Sequence, residues 1–80
     1  MTDIVTKKPI KIEMGGDAPA DFSIPYQQLD QVRALFDANH IECWVDDEVL
    51  SIDDGPEIAF VTISRRSDPE LAQRLLDSMP

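Results

Sequence analysis

Basic residues are scarce in this chain, and between Arg33 and Arg65 there are none. Its 80 residues hold 7 Lys and Arg against 16 Asp and Glu, a formal net charge of −9. That balance argues against the basic stripe with which nucleic-acid-binding proteins neutralise phosphates. It also argues against docking on acidic membranes. There is one cysteine, Cys43, so no internal disulfide forms, and secreted domains this small usually carry several. His40 is the only histidine, and two residues of Cys/His type fall short of a four-ligand structural zinc site. Glycines number 3, and Gly15-Gly16 lacks the lysine and the serine or threonine of a phosphate-binding loop. No apolar run approaches the ~20 residues of a membrane span. Residues 1–8 have no apolar segment of the signal-peptide kind. The expectation is a cytoplasmic protein.

What is present is an acidic block with apolar residues threaded through it. Asp37, Glu42, Asp46, Asp47, Glu48, Asp53, Asp54 and Glu57 occupy the stretch without a cation. Ile41, Trp44, Val45, Val49, Leu50, Ile52, Ile58 and Phe60 run between them. A disordered acidic tail would lack that apolar content, so the block reads as folded sheet with an acidic edge. Such a surface attracts basic protein surfaces. The apolar share of 42% is ordinary for a globular domain. A single domain of this size has a thin core, rarely worth more than about 3–5 kcal/mol net.

Hydrophobic periodicity sets the expected elements. Residues 1–9 form a polar, loose N-terminal segment, and residues 10–80 form one domain. Ile10, Ile12 and Met14 alternate with Lys11 and Glu13, which predicts a half-buried strand over 10–14. Gly15-Gly16-Asp17 ends it, and 18–22 continue as loop. Ser23-Ile24-Pro25 opens a helix over 25–38, with Leu29, Val32, Leu35 and Phe36 as its apolar stripe. Asn39 suits the left-handed position after it. Strands are predicted over 41–45, 49–52 and 57–64, with polar turns at 46–48 and 53–56. A second helix over 68–78 starts with Ser67 or Asp68 as cap. The order β-α-β-β-β-α implies an α+β two-layer sandwich: a mixed four-stranded sheet with two helices on one face, a truncated ferredoxin-like fold. The first and second strands are expected to pair in parallel.

Few residues point to chemistry. Cys43 and His40 make a poor nucleophile–base pair, because no third group orients the base. Cys43 reads as a small packing residue and His40 as a helix terminator. Asp46-Asp47-Glu48 and Asp53-Asp54 lie at opposite ends of a strand roughly 13 Å long, too far apart to share a calcium ion easily. Turn carboxylates are solvated, which leaves no pKa pair for acid–base catalysis. Arg65-Arg66 more readily serves internal ion pairs than an anion. No enzyme activity, metal or cofactor is expected. Trp44 is the more useful residue. If Ile41, Cys43 and Val45 face the helices, Trp44 faces outward beside Glu42, and exposed tryptophan is enriched at protein-binding hot spots; in the opposite register Trp44 fills the core. The expected partner-binding set is Glu42, Trp44, Asp46, Asp47, Glu48, Asp53, Asp54 and Glu57.

The stretch from Tyr26 to Met79 resembles a group of very small bacterial proteins. The likeness lies in a helix, then Ile41-Glu42-Cys43-Trp44-Val45-Asp46, the Ser51-Ile52-Asp53 strand end and a final helix. In size, acidity and lack of catalytic motifs the chain is also similar to immunity proteins and antitoxins of bacterial toxin systems. That likeness implies a basic protein partner, a toxin, whose working surface is masked. The alternative is a small homodimeric regulatory or ligand-sensing domain of ferredoxin-like type, paired through its uncovered sheet face.

Overall fold

The computed structural model describes residues 1–14, 17, 19–46, 48–51 and 54–79. Its first strand, β1 (Asp21–Pro25), follows the alternation of its own sequence: Phe22 and Ile24 are buried, Asp21 and Ser23 exposed. A 3-10 turn (Tyr26–Gln28) leads into helix α1 (Leu29–Ala38). Two short strands follow, β2 (Cys43–Val45) and β3 (Leu50–Ser51). The long strand β4 (Glu57–Ile63) and helix α2 (Pro69–Ser78) complete the order. The result is α+β, with a four-stranded sheet and two helices, as the periodicity implies.

β4 is central. β1 pairs along one side of it, and β2 and β3 pair end to end along the other. Every pairing is antiparallel, so the sheet is not mixed. β1 and β2 do run in the same direction, but β4 lies between them. The parallel contact expected across α1 is therefore replaced by two antiparallel ladders.

Residues 10–14 are not a strand, and 21–25 are neither loop nor helix. The alternation at 10–12 is real, since Ile10 and Ile12 are buried and Lys11 is exposed. Met14, however, is 46% exposed, and among the described residues one isolated bridge, Glu13 to Asp21, is the only ladder contact of 10–14. A side chain does the work of a neighbouring strand instead. The Ile12 amide donates to Gln73 Oε1 (2.7 Å), and Gln73 Nε2 donates to the Ile10 carbonyl (3.1 Å). Gln28, buried, brackets the preceding turn in the same way: it accepts from the Ile4 amide and donates to the Thr2 carbonyl. Residues 1–9 form a closed turn, with a bridge between Thr2 and Pro9.

Ala59, Val61 and Ile63 of β4 are fully or almost fully buried and share one core with Val32 and Phe36 of α1 and Ala72 and Leu76 of α2. Both helices thus cover the same face. Phe22 meets Phe36 edge to face, centroids 6.1 Å apart, joining β1 to α1 by a contact worth about 0.5–1.5 kcal/mol beyond its area. The opposite row of β4 exposes Phe60 to 37%.

The helix ends position the strands. Asp68 is the cap of α2, accepting from the Glu70 amide at 2.9 Å with Pro69 in the first turn. Ser67 is thereby released to accept from the Glu42 amide at 2.7 Å, tying the approach to β2 to the loop before α2. At the end of α1 the left-handed residue is His40 (φ 58°), not Asn39 (φ −114°). The Ile41 amide donates to the Phe36 carbonyl and the His40 amide to the Asp37 carbonyl, which is the Schellman pattern. Asn39 instead turns its side-chain amide back to the Leu35 carbonyl. Buried Ile41 follows directly, so the chain enters β2 with its inward row already fixed.

Candidate protein-docking surface

The hydrogen bonds around β2 decide which way its groups point. The Ser64 amide donates to the Glu42 carbonyl (2.9 Å), and the Asp46 amide donates to the Phe60 carbonyl (3.0 Å). The ladder therefore runs from Glu42 to Asp46, with Trp44 opposite Thr62. Side chains of directly paired residues lie on one face. Cys43, opposite Ile63, and Val45, opposite Val61, face the helices and are half-buried. Trp44 faces away and is 51% exposed, the outward of the two registers. Glu42 and Asp46 share its row and are exposed. At a rise of about 3.3 Å per residue the tryptophan sits roughly 7 Å along the strand from each neighbouring carboxylate position.

The open face continues across the sheet in register. Trp44, Thr62 and Asp21 form one cross-strand row, and Asp46, Phe60 and Ser23 form the next. Leu50, 46% exposed, stands opposite Ile58 at the far end. Trp44, Phe60 and Leu50 give this face an apolar backbone that the residue-by-residue reading reduced to Trp44 alone. The missed signal was available: in 57–63 the row Ile58, Phe60, Thr62 must be the solvent row once Ala59, Val61 and Ile63 are core.

Of the expected acids, Glu42 and Asp46 stand on this face. Glu48 and Asp54 are exposed beside the short strands, and Glu57 is exposed at the start of β4 but in the row of Ala59 and Val61, so it does not share the Trp44 face. Asp54 adopts φ 58°, a left-handed conformation that aspartate tolerates in a turn. The Ser51 hydroxyl donates to the Gly55 carbonyl across the same turn. Asp47 and Asp53, both expected at the surface, lie outside the described residues. No hydrogen bond or ion pair holds the carboxylate of Glu42, Asp46, Glu48, Asp54 or Glu57 among the described residues. These charges are therefore available to a partner.

Below the edge of β2, a groove of about 390 Å³ is lined by Tyr26, Leu29, Arg33, Asp37, Cys43, Val45, Asp46 and Val49. The Cys43 thiol borders it. Burial pushes its pKa up, the Asp37 carboxylate adds to that rise, and Arg33 pulls the other way. A raised pKa leaves little thiolate, the opposite of an activated nucleophile. His40 is exposed at the helix end, where its backbone does the capping. Among the described residues, no group of three or more His, Cys, Asp or Glu converges as a metal site. Among the same residues, no helix is long and apolar enough to cross a membrane.

What the fold and surface define is a small α+β domain with one sheet face that neither helix covers, where Lys8, Ile10 and Lys11 border a groove shared with Asp46, Phe60 and Thr62. Comparison with known proteins adds no name to that class: no family model, no curated protein and no solved structure matches the chain.

Proposed function

We propose that this chain is an acidic protein-binding module of the immunity or antitoxin kind, which masks a basic surface of a cognate toxin. The observation that carries the reading is Trp44, half exposed between Glu42 and Asp46 on the uncovered sheet face. An amphipathic ring of that size gives a docking anchor, and flanking carboxylates steer a basic partner toward it. The test is association kinetics with the cognate toxin, measured at low and high salt. Association slows as salt rises, and Glu42→Lys with Asp46→Lys slows it further, because these charges act on encounter. Trp44→Ala mainly speeds dissociation. Salt-independent association, with every variant binding like the parent, reduces the acidic face to a solubilising surface.

A homodimeric ferredoxin-like domain is the second reading. It is favoured by the apolar row Leu50, Phe60 and Trp44 and by the strand order β1-β4-β2. Against it stands the charge of −9, which each copy would bring to the interface. Sedimentation separates the two: a mass of 9.0 kDa supports the masking module, and twice that mass supports the dimer.

A further inference from the structure

The outer edge of β2 has a definite hydrogen-bonding pattern. Glu42 and Asp46 direct backbone groups to β4, and Trp44 shares their phase. Backbone groups alternate along a strand, so Cys43 and Val45 direct their N–H and C=O outward. Neither residue has a backbone hydrogen bond on that side among the described residues. The opposite edge of the sheet differs: there Asp21 exchanges both backbone bonds with Glu13.

We propose that this free edge accepts an extended basic segment of the partner as an added antiparallel strand, a docking mode that rests on the masking reading above. Hydrogen-bonded pairing then falls on Cys43 and Val45. Glu42, Trp44 and Asp46 fall at the alternate positions, where side chains of an antiparallel pair come closest. An incoming strand therefore sets every second side chain beside a carboxylate, the indole or a carboxylate. Lysine or arginine satisfies all three: ion pairs at the ends and a cation over the Trp44 ring in the middle.

Charge also selects the occupant. A second copy of this chain would bring its own Glu42 and Asp46 against these, and like charges directly opposite are destabilising. Carboxylates on a short edge strand are a recognised guard against self-pairing. The guard fails against a strand of opposite sign, which is the specificity proposed here. Arg33 is a cation near the groove, but it lies on the helix side with Asp37 one turn away, whereas Glu42 and Asp46 lie on the sheet's outer face.

The test uses the full chain and a short synthetic peptide of alternating lysine and valine. The controls are its glutamate–valine counterpart and the same lysine peptide N-methylated at every interior residue. Trp44 is the chain's single tryptophan, so its emission reports binding directly. The expected result is salt-sensitive binding of the lysine peptide with the Cys43 and Val45 amides protected from exchange. The glutamate peptide gives no shift, and N-methylation weakens binding by about tenfold or more through lost backbone bonds. Equal binding of the N-methylated peptide, with those amides unprotected, overturns the added strand and leaves the acidic docking face standing. Failure of both lysine peptides to bind overturns the strand and the attraction for basic partners together.

Discussion

Along β1 the outward-pointing backbone positions are Asp21, Ser23 and Pro25; along β2 they are Cys43 and Val45. On the β1 side Asp21 is bonded to Glu13, and Pro25 has no N–H to leave exposed. The stretch that supplies Glu13 is itself held by Gln73, whose amide stands in for a further strand, and Gln28 holds the turn before it. The β2 side has no such cover among the described residues and relies on shortness and charge. The two faces repeat the contrast: α1 and α2 bury one, and Trp44, Phe60 and Leu50 stay exposed on the other. One side of this sheet is built for stability, and the other is left accessible at some risk of unwanted pairing.

The largest expected effect separates the two faces. Phe36→Ala empties a fully buried site and should cost about 3–5 kcal/mol, comparable to the whole stability of so small a domain. Trp44→Ala should change stability by less than about 0.5 kcal/mol, as surface substitutions do. Urea denaturation measures both. A Trp44 variant that unfolds like the Phe36 variant would show the open face to be part of the core.

The covered edge is tested next. Gln73→Ala removes the partners of the Ile12 amide and the Ile10 carbonyl, at a cost of about 1–3 kcal/mol. Exchange of the Ile12 amide should accelerate, while the amides of Val61 and Ile63 in β4 stay protected. Unchanged Ile12 protection would mean that Gln73 is dispensable to the cover.

His40→Gly gives a smaller effect of opposite sign. Glycine adopts φ 58° freely, so relief of the left-handed cost should stabilise the domain by up to about 1 kcal/mol. Loss of stability would instead assign the imidazole a contact of its own.

Cys43 yields the smallest effect. Its thiol should react more slowly with a thiol reagent in the folded protein than after denaturation, because burial first, and Asp37 second, hold its proton on. The folded state keeps that proton to higher pH than the unfolded chain does. The thiol's stabilising contribution is therefore complete below the ordinary thiol pKa, and it declines as pH rises past that value toward the raised folded one. Cys43→Ser should lack this decline. Equal labelling of folded and unfolded chains would place the thiol on the open side.

Local pattern carried much of this. The stripe of α2, its start at Ser67 or Asp68 and the central place of β4 are readable because each depends on neighbours in sequence, whereas the apolar residues on both faces of β4 hide which face is covered. The alternation at 41–45 leaves two registers for Trp44, and the ladder to β4 selects the outward one. The misreading at 10–25 has a specific cause. Residues 10–12 and 21–24 both alternate, and the prolines at 19 and 25 made the second stretch look like loop and helix start. Alternation does not say which of two such stretches meets β4. Packing decided, through Phe22 against Phe36 and Ile24 opposite Ala59.

The helices, the existence of the later strands and the acidic stretch without lysine or arginine between Arg33 and Arg65 are legible in the residues alone. Those are consequences of periodicity and composition, which act over a few residues. Tertiary packing placed β4 between β1 and β2, set Glu13 against Asp21 on one edge, turned Trp44 outward, and left Cys43 and Val45 without strand partners on the other edge among the described residues. Those depend on contacts between residues far apart in the chain, where hydrogen-bond phase and packing, not local pattern, select the neighbour.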